Sequence, residues 1–531
     1  MGEIAIFICF DIKDLWGWKV KNTFVLYAIV MRKLRLCKVC ASGRYLPLWV
    51  FLMAFAIRAL PEFLSGPYPV GYDLLAGYAP SILALPDASP LKLFGWFWSP
   101  LAVFVLWFFW VLTRVDLYLL LKVAGPVFYG LFVLSFYYLL LKGLGWGGRK
   151  SFVTALLFLL QPAVLRTGWD QLREELGFVF LFVLLAGTNC DIVSGARKKP
   201  LTVVVLSVLV ALSHQLAAVL LFVVLFWQFV RRLWGKSAFS LKGMIVFVPF
   251  VVLFGLQLCF AYFVDAGFSS HFVPVQLPSG SGFFAFTDYF LSDPRFVGGD
   301  YFRILAYVGS LSLYCVVPLV FLALKGFFRD RVFAPMLVWL LVASYSILVF
   351  PWFAFSFYWW WILLLPIPLT VYAGHALETW GVFAEGKRSK KLFVGFLLLG
   401  VVGVGYACSV VRLGYPYAYT YMPSGLVESC VGFDNIPDIK AAFTWVNENV
   451  PVGALVVVPE KFQGFASMYS RSDLRIRVAP PLLSLSEATV RFKGKESVGY
   501  AVFFLNDVGD PKNMTEILST FRRVAVCRVY L

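Results

Sequence analysis

Charged residues stand in three places at the ends of long apolar runs, where they could bind a charged substrate or move a proton. The first place holds Arg58 and Glu62, followed by Tyr72 and Asp73 in a loop rich in Gly, Pro and Tyr. Charged side chains at membrane depth are costly and usually face a cavity or a partner. A carboxylate held there, such as Asp73, can act as a general base toward a hydroxyl group. From spacing alone, an aspartate that only caps a turn or a helix is the favoured interpretation.

The second place is a short turn in which two arginines and three acids are crowded together. They are Arg166, Asp170, Arg173, Glu174 and Glu175. Arginine guanidinium groups match the oxygens of phosphate and pyrophosphate, which predicts an anion site. The same residues can also begin a helix, with Asp170 as N-cap and the two glutamates in its first turn. The two interpretations are compatible.

His214 forms the third place, between two apolar runs that meet at Ser213-His214-Gln215. A single histidine on an apolar face can be a structural group that its neighbours satisfy. Because His214 is predicted to share a membrane face with the arginine turn, a functional role beside it is the alternative.

A weaker set of charged residues occupies the long segment from Asp265 to Asp300. Loops longer than about 15 residues tend to be functional or mobile. The segment can cover a substrate or merely connect two spans. Its polar residues are His271, Asp288, Asp293, Arg295 and Asp300, with Arg303 at the start of the next span.

The composition requires lipid as the solvent for the elements that position these residues. The chain has 531 residues, of which 61% are hydrophobic and 14% are charged. A soluble domain is roughly half apolar and a quarter charged. The net charge of +17 comes from bases in short loops between apolar runs. This pattern indicates cytoplasmic loops rather than nucleic-acid binding, and no nucleic-acid partner is expected.

Apolar runs alternating with basic loops predict a polytopic α-helical membrane protein with about eleven crossings. Residues 1–45 form a cytoplasmic N-terminal segment, residues 46–411 the transmembrane domain, and residues 61–116 a long first external loop. Leu101–Thr113 is apolar but short, and charge favours a re-entrant or interfacial helix over a span. The spans are Leu46–Leu60, Leu117–Leu141, Ser151–Leu165, Leu176–Ala186, Leu201–Leu212, Leu216–Val230, Met244–Val264, Tyr301–Leu324, Val332–Phe350, Phe355–Ala373 and Leu392–Val411.

From Arg412 the composition changes, and residues 412–531 are predicted to form an extracytoplasmic α/β domain. Cys430 and Cys527 could pair there if the domain is outside. Asn513-Met514-Thr515 fits a glycosylation acceptor. The predicted helices are Ile439–Asn449, Ser484–Phe492 and Asn513–Phe521, and the predicted strands are Ala454–Val458, Leu474–Val478, Tyr500–Leu505 and Arg523–Tyr530.

The sequence lacks the motifs of nucleotide hydrolases and of zinc metalloproteases. The Gly-x-x-x-x-Gly-Lys-Ser/Thr pattern of nucleotide hydrolases is absent, as is His-Glu-x-x-His, and the chain contains only 3 histidines. These observations exclude a His-rich metal site, and no cofactor is expected.

Four motifs together resemble the GT-C superfamily of membrane glycosyltransferases. The likeness is to archaeal members distantly similar to dolichyl-phosphate-mannose protein mannosyltransferases and aminoarabinose transferases. The motifs are Arg58…Pro61…Gly71-Tyr72-Asp73, then Ser99-Pro100-Leu101, then Arg166-Thr-Gly-Trp-Asp170-x-x-Arg173-Glu174, and finally Ile436-Pro437-Asp438-Ile439…Trp445-Val-Asn-Glu in the tail.

The resemblance implies transfer of a sugar from a polyprenyl-phosphate donor to a protein, lipid or glycan acceptor on the extracytoplasmic face. Asp73 maps to the family's catalytic acid, and Arg166 and Arg173, with His214 nearby, are the candidates for the donor phosphate. Arg58, Glu62, Tyr72, Asp170, Glu174 and Arg303 are expected to support them. The first loop lacks Asp-x-Asp, so a divalent metal has no support from the sequence.

Two other functions remain open on the sequence. One is a transporter or flippase for a lipid-linked sugar or another amphiphile, although no long internal repeat of the kind transporters show is present. The other is a non-catalytic assembly subunit that binds through its tail. All three functions imply a multi-pass protein of the cell membrane, with membrane lipids as neighbours and a cytoplasmic N-terminus.

Overall fold

A computed structural model describes most of the membrane region and much of the C-terminal domain. The described residues are 45–71, 73–87, 100–234, 245–263, 284–286, 301–327, 333–349, 353–355, 358–380, 398, 400, 431, 433–479, 499–505 and 515–529. The chain divides after Trp49 into two compact units. All contacts discussed below lie within the second unit, Val50–Leu531.

Apolar α-helices make up the membrane region, as the hydropathy of the sequence predicts. Four helices in the described residues are long and apolar enough to cross a bilayer, or up to six if two bent helix pairs each count as one span. The chain is therefore a polytopic helical membrane protein, while eleven crossings remain a prediction. The helices are α1 (Leu46–Leu64), α2 (Ala79–Ala84), α3 (Leu101–Thr113), α4 (Leu117–Tyr138), α5 (Gly148–Leu159), α6 (Pro162–Asp170), α7 (Leu172–Gly187), α8 (Ile192–Lys198), α9 (Pro200–Ser213), α10 (Gln215–Trp234), α11 (Val248–Phe263), α12 (Tyr301–Cys315), α13 (Val317–Ala323), α14 (Phe333–Val349), α15 (Tyr358–Leu364) and α16 (Pro366–Thr379).

One of the predicted spans is broken, and another helix is followed by a sharp bend just beyond its predicted end, Ala186. α5 and α6 meet at an angle of 67°, so the predicted span 151–165 is not a single helix. Gln161 is extended, and Pro162 begins α6 because proline has no N–H for the preceding helix. α7 and α8 are bent by 72°, at Asn189 and Cys190, whose φ angles are 49° and 61°.

An aromatic core joins α4, α5 and α7. Phe132 stacks on Phe182 at 5.8 Å between ring centroids and Phe136 on Phe158 at 4.1 Å. Near its far end α4 continues as a π-helical turn, Leu139–Gly143, where a Cβ on Gly143 would lie 3.1 Å from Cys190 Sγ. Phe132 meets Phe182, and Gly143, further along the chain, lies near Cys190 just after α7, so α4 and α7 are parallel, as the predicted topology requires.

α3 matches the predicted helix Leu101–Thr113. Its 13 residues span about 20 Å at 1.5 Å per residue, less than the ~30 Å hydrocarbon core. Ala102, Val103 and Leu106 are buried against neighbouring helices, while Phe108 and Leu112 are exposed. Its length agrees with a re-entrant or interfacial helix, which remains a prediction.

A five-stranded sheet forms the centre of the C-terminal domain. The strands are β3 (Leu455–Pro459), β4 (Arg475–Ala479), β5 (Gly499–Phe504), β6 (Thr515–Phe521) and β7 (Val524–Val529), in the order β4-β3-β5-β7-β6. β3 is parallel to β4 and β5, while β7 is antiparallel to β5 and β6. α17 (Ile436–Asn449) and α18 (Gln463–Tyr469) share a hydrophobic core with the sheet. The predicted α/β class is confirmed for this domain.

The prediction of a helix over Asn513–Phe521 is wrong. Thr515–Phe521 is the edge strand β6, which pairs antiparallel with β7 and has a register irregularity between Ile517 and Ser519. The ladder supplied by β7 overrides the local helical pattern, because tertiary pairing outweighs weak propensity. The predicted helix Ser484–Phe492 lies outside the described residues.

Two further sequence predictions bear on the remaining segments. Cys527 is a free, buried thiol, while Cys430 lies outside the described residues, as does Asn513. In the long segment 265–300 only β1 (Phe284–Phe286) is described, and it pairs antiparallel with β2 (Phe353–Phe355) just before α15. His271, Asp288, Asp293, Arg295 and Asp300 fall outside that description.

Candidate active site

Arg58 ties three segments together near the end of α1. Its side chain is fully buried. Nε donates to the carbonyl oxygen of Gly168 at 2.7 Å, Nη1 to Glu62 Oε1 at 2.6 Å, and Nη2 to the carbonyl oxygen of Val70 at 3.2 Å. A buried guanidinium is stable only when its donors are paired in this way. Arg58 therefore links α1, the first loop and the α6 turn.

Glu62 and Lys122 close the start of the first loop. Glu62 Oε2 accepts the N–H of Val70 at 3.0 Å. Lys122 Nζ, on α4, donates to the carbonyl oxygens of Glu62 at 2.5 Å, Gly66 at 2.7 Å and Tyr68 at 3.2 Å. Lysine in an apolar helix needs such acceptors, because an unpaired charge there is costly. The loop thus starts from a fixed position on the helices.

The close packing of Arg58 requires glycine at position 168. A Cβ there would lie 2.9 Å from Tyr129 Cδ2, 3.0 Å from Glu175 Oε1 and 3.5 Å from Arg58 Cδ. Real Cβ contacts are rarely that short, so a side chain would displace groups that are themselves buried. Gly168 thereby lets the α6 turn approach both Arg58 and the acids of α7.

We expect Gly168→Ala to lower the free energy of unfolding by about 1–3 kcal/mol, since the added methyl group over-packs this contact. Thermal unfolding of the detergent-solubilised chain measures the effect. Gly187→Ala, at the C-terminal end of α7, is the control because a Cβ there meets nothing within 4 Å. Equal melting temperatures for the two variants would contradict the packing argument.

Glu174 and Glu175 lie in the first turn of α7, as predicted. Asp170 does not cap this helix: it ends α6, and Gln171 occupies the N-cap of α7 without a side-chain hydrogen bond. The predicted N-cap role of Asp170 is therefore wrong, because the chain bends one residue later than the capping pattern suggests. The first-turn position suits the glutamates, since helix N-termini favour negative charge.

The two glutamates face different arginines. Glu174 is 1% exposed and interacts electrostatically with Arg166 and Arg173, whereas Glu175 is 0% exposed and interacts with Arg58. Within the described part of the chain, none of their four carboxylate oxygens has a hydrogen-bond partner. Buried carboxylates of this kind depend on nearby positive charge. The turn is thus a compact set of alternating charges.

Each arginine of the turn also lies against an aromatic ring. The Arg166 guanidinium is 5.3 Å from the ring centroid of Trp360, on α15, and that of Arg173 is 5.6 Å from Tyr78. Arg166 is buried, whereas Arg173 is half-buried. Aromatic faces hold cations in place without neutralising them. The charges can therefore act on an anion that reaches the turn.

Asp73 is the N-cap residue of a π-helical turn, Leu74–Tyr78, whose last residue contacts Arg173 of α7. Gly71, with φ of 122°, allows the sharp backbone path before it. The Tyr78 hydroxyl accepts the backbone N–H of Arg173 at 2.9 Å. Asp73 and Arg173 both act electrostatically on that hydroxyl, so the turn brings them to one neighbourhood.

Tyr78 stays protonated in this position. Burial raises the pKa of its phenol to about 12, with Asp73 adding to the rise and Arg173 opposing it. A neutral phenol keeps its proton available as a hydrogen-bond donor while its oxygen accepts from Arg173. Tyr78 is therefore a stable link between the first loop and α7.

His214 lies between α9 and α10, close to the same turn. It interacts electrostatically with Arg173, and a Cβ on Gly177 would lie 3.3 Å from His214 Cβ. His214 Nδ1 also accepts the backbone N–H of Leu216 at 3.3 Å. This contact fits the structural interpretation, and its position beside Arg173 fits the functional one.

Three predicted supporting residues are described only in part or not at all. Tyr72 lies outside the described residues, and for Asp170 and Arg303 the backbone is described but the side chain is not. Groups of three or more His, Cys, Asp or Glu side chains arranged to hold a metal ion are not found where the structure describes the chain.

Sequence reasoning missed three residues of this neighbourhood. Tyr78 and Trp360 gave no signal, because aromatic residues make up 18% of the chain. Lys122 did give one: it is a single cation near the start of a long apolar run, and such charges mark partners or function. Its acceptors, however, come from a loop about 55 residues earlier, a pairing visible only in the fold.

The fold of this chain is similar to that of a solved membrane protein, although its sequence matches no known family. No family model matches the sequence, and no curated protein matches it. The structure is similar to apo ArnT from Cupriavidus metallidurans, with a TM-score of 0.51 and 15% sequence identity, covering 92% of this chain and 98% of that one. Arabinofuranosyltransferase AftD from Mycobacteria gives a TM-score of 0.47 at 14% identity, over 91% of this chain and 40% of that one, which is too weak to bear on the fold.

The chain therefore shares its fold with ArnT, which is a GT-C membrane glycosyltransferase. ArnT is an aminoarabinose transferase, one of the two kinds of enzyme that the sequence motifs resemble. At the level of the fold, that resemblance is confirmed.

Proposed function

We propose that this protein is a glycosyltransferase that moves a sugar from a polyprenyl-phosphate-linked donor to a protein, lipid or glycan acceptor on the extracytoplasmic face. One observation supports this most. Asp73, on the first loop, and Arg173, on α7, both act on the Tyr78 hydroxyl at one end of the helical bundle. A general base beside a phosphate-binding cation is the pair that such a transfer needs.

In the proposed reaction the acceptor oxygen attacks the anomeric carbon while the bond from that carbon to the donor phosphate breaks. Asp73 takes the acceptor proton, and the bonding electrons leave with the phosphate oxygen. In this proposal Arg173, Arg166 and His214 stabilise the charge that develops on the phosphate. A single displacement of this kind inverts the sugar's configuration, and no metal ion is needed to balance it.

The membrane orientation is part of the proposal. Basic loops between the apolar runs favour a cytoplasmic N-terminus, eleven crossings and an extracytoplasmic C-terminal domain. Tyr469 of that domain contacts Tyr118 at the start of α4, the end that also holds Glu62 and Lys122. The C-terminal domain therefore lies on the same side of the helical bundle as Glu62 and Lys122. Protease added outside intact cells is expected to cut within residues 412–531 and to spare the loop at Arg149.

Transfer itself is tested with the purified full-length chain in lipid vesicles. The vesicles contain radiolabelled polyprenyl-phosphate sugars and an extract of native acceptors. Label is expected to move from the lipid fraction to an acceptor fraction. Label that stays on the lipid with every donor would refute the transferase, and label that crosses the bilayer while still on lipid would point to a flippase.

Arg173→Gln is expected to lower kcat/KM for the donor by about 10–100-fold, because a hydrogen bond to a charged group contributes about 1.5–3 kcal/mol. The substitution keeps the backbone N–H that binds Tyr78 and removes only the charge. Vesicle assays at varied donor concentration measure it.

Arg477→Gln is the matched control, since Arg477 is exposed on the edge strand β4 of the C-terminal domain. Equal kinetics for Arg173→Gln and the unmodified chain would remove Arg173 from the phosphate site.

A further inference from the structure

The segment that follows Asp73 lies between two hydrophobic cores. Leu74 and Tyr78 belong to the core formed with α3, α4 and the start of α7. Leu75 points the other way and is 2% exposed within the core of the C-terminal domain. A π-helical turn is rare and is often found at functional sites. Here it turns adjacent residues toward two different cores.

The C-terminal domain makes this contact through α18. Phe465 and Ala466 of α18 are buried in the same core as Leu75, and Met468 packs against both cores. Removing a buried leucine side chain from such a core is strongly destabilising, because it loses apolar burial and leaves a cavity. The apolar contact is therefore strong enough to hold a short segment in place.

A polar contact fixes the orientation of the two parts. The hydroxyl groups of Tyr118 and Tyr469 are 2.5 Å apart, and Tyr68 packs edge-on against Tyr118 at 5.6 Å between centroids. Both tyrosines have anchored backbones. Asp116 caps α4 by accepting the Leu119 N–H at 3.0 Å, and Asn447 Nδ2 donates to the Tyr469 carbonyl oxygen at 2.7 Å.

We propose that the C-terminal domain is a positioning element for the Asp73 segment, and that Tyr118 and Tyr469 are positioning residues that hold it in register with Arg173. The domain presses on the π-helical turn from one side, while the Tyr78–Arg173 contact holds it on the other. The catalytic consequence rests on the proposed function, whereas the mechanical consequence does not.

Tyr469→Phe and Tyr118→Phe test this in the full-length chain, since each removes one hydroxyl and leaves the ring. Each is expected to raise amide hydrogen exchange over residues 74–84 by about two- to tenfold, the loss expected for one partly buried hydrogen bond. The double variant should exchange no faster than either single variant, because all three lack the same bond. The kcat of transfer should fall by a similar factor while KM for the donor stays unchanged.

Tyr138→Phe is the control, because Tyr138 is 38% exposed at the far end of the same helix α4. Unchanged exchange over residues 74–84 in both single variants would overturn the proposal, as would additive effects in the double variant. Faster exchange with full kcat would overturn the positioning role. If the unmodified chain transfers no sugar, the proposed function fails, and the exchange data alone still decide whether the domain holds the segment.

Discussion

Asp73→Asn is expected to lower kcat of sugar transfer by a factor of about 10²–10⁴, the usual contribution of a general base. Asparagine keeps the shape of the side chain and its place before the π-helical turn, so the loop and the Tyr78–Arg173 contact should persist. It cannot accept a proton from the acceptor hydroxyl. The KM for the donor should therefore change little while kcat falls. Vesicle assays at donor concentrations varied up to saturation measure both.

Asp434→Asn, at an exposed aspartate of the C-terminal domain, controls for the loss of one negative charge. Donor binding, followed by retention of labelled lipid on the immobilised protein, should be the same for both variants. If Asp73→Asn transferred sugar within about threefold of the unmodified chain, Asp73 would not be the base. A transporter or an assembly subunit would likewise have no reason to be affected.

Arg58→Met is expected to lower the free energy of unfolding by about 3–5 kcal/mol, the cost of breaking a buried ion pair by removing one partner. Methionine fills similar space but leaves Glu62 without its 2.6 Å partner and removes the positive charge beside Glu175. It also leaves the carbonyl oxygens of Gly168 and Val70 without their donor. Denaturation of the detergent-solubilised chain measures the loss.

Arg58→Met combined with Glu62→Leu should recover part of that loss, since an apolar pair of similar volume often replaces a buried ion pair at little cost. Glu378→Gln serves as control. Its ion pair with Lys150 is 2.8 Å long but Glu378 is 54% exposed, and such pairs contribute about 0–1 kcal/mol. If Arg58→Met and Glu378→Gln were equally stable, Arg58 would not be the structural anchor described above.

Hydropathy and charge were sufficient to predict the helices but not where they break. The predicted spans 117–141 and 216–230 correspond to α4, with its π-helical turn, and to α10, because long apolar runs have few alternatives in lipid. The span 151–165 bends before Pro162, where the loss of one backbone donor ends α5. Such a break follows local chemistry that a hydropathy window averages out.

The C-terminal domain shows where local pattern fails. Ile439–Asn449 reads as an amphipathic helix and lies within α17, whose buried face is set by residues such as Phe443 and Val446. Thr515–Phe521 reads as helix but is the strand β6, since its pairing with β7 is a long-range contact. Strand edges depend on the partner that is available.

The sequence alone was enough to single out the charged residues of the candidate site, because arginines and acids are rare in apolar runs and usually mark a partner or a function. It was not enough to identify their partners. Arg58 binds the backbone of Gly168, 110 residues away, and Tyr78 meets Arg173, 95 residues away. Neither contact leaves a local mark, because a backbone carbonyl or a phenol among many aromatic residues looks the same at every position.

Amino-acid types alone thus predict that the chain lies in a membrane, that it is helical, and which acids and arginines are candidate site residues. The reason is that the bilayer penalises every exposed backbone or charged group in the same way. They do not predict which of those residues contact one another. The contact of Tyr78 with Arg173, and the packing of α18 against the π-helical turn, join segments far apart in the chain. Packing depends on the shapes of all partners at once, so only the tertiary structure could decide it.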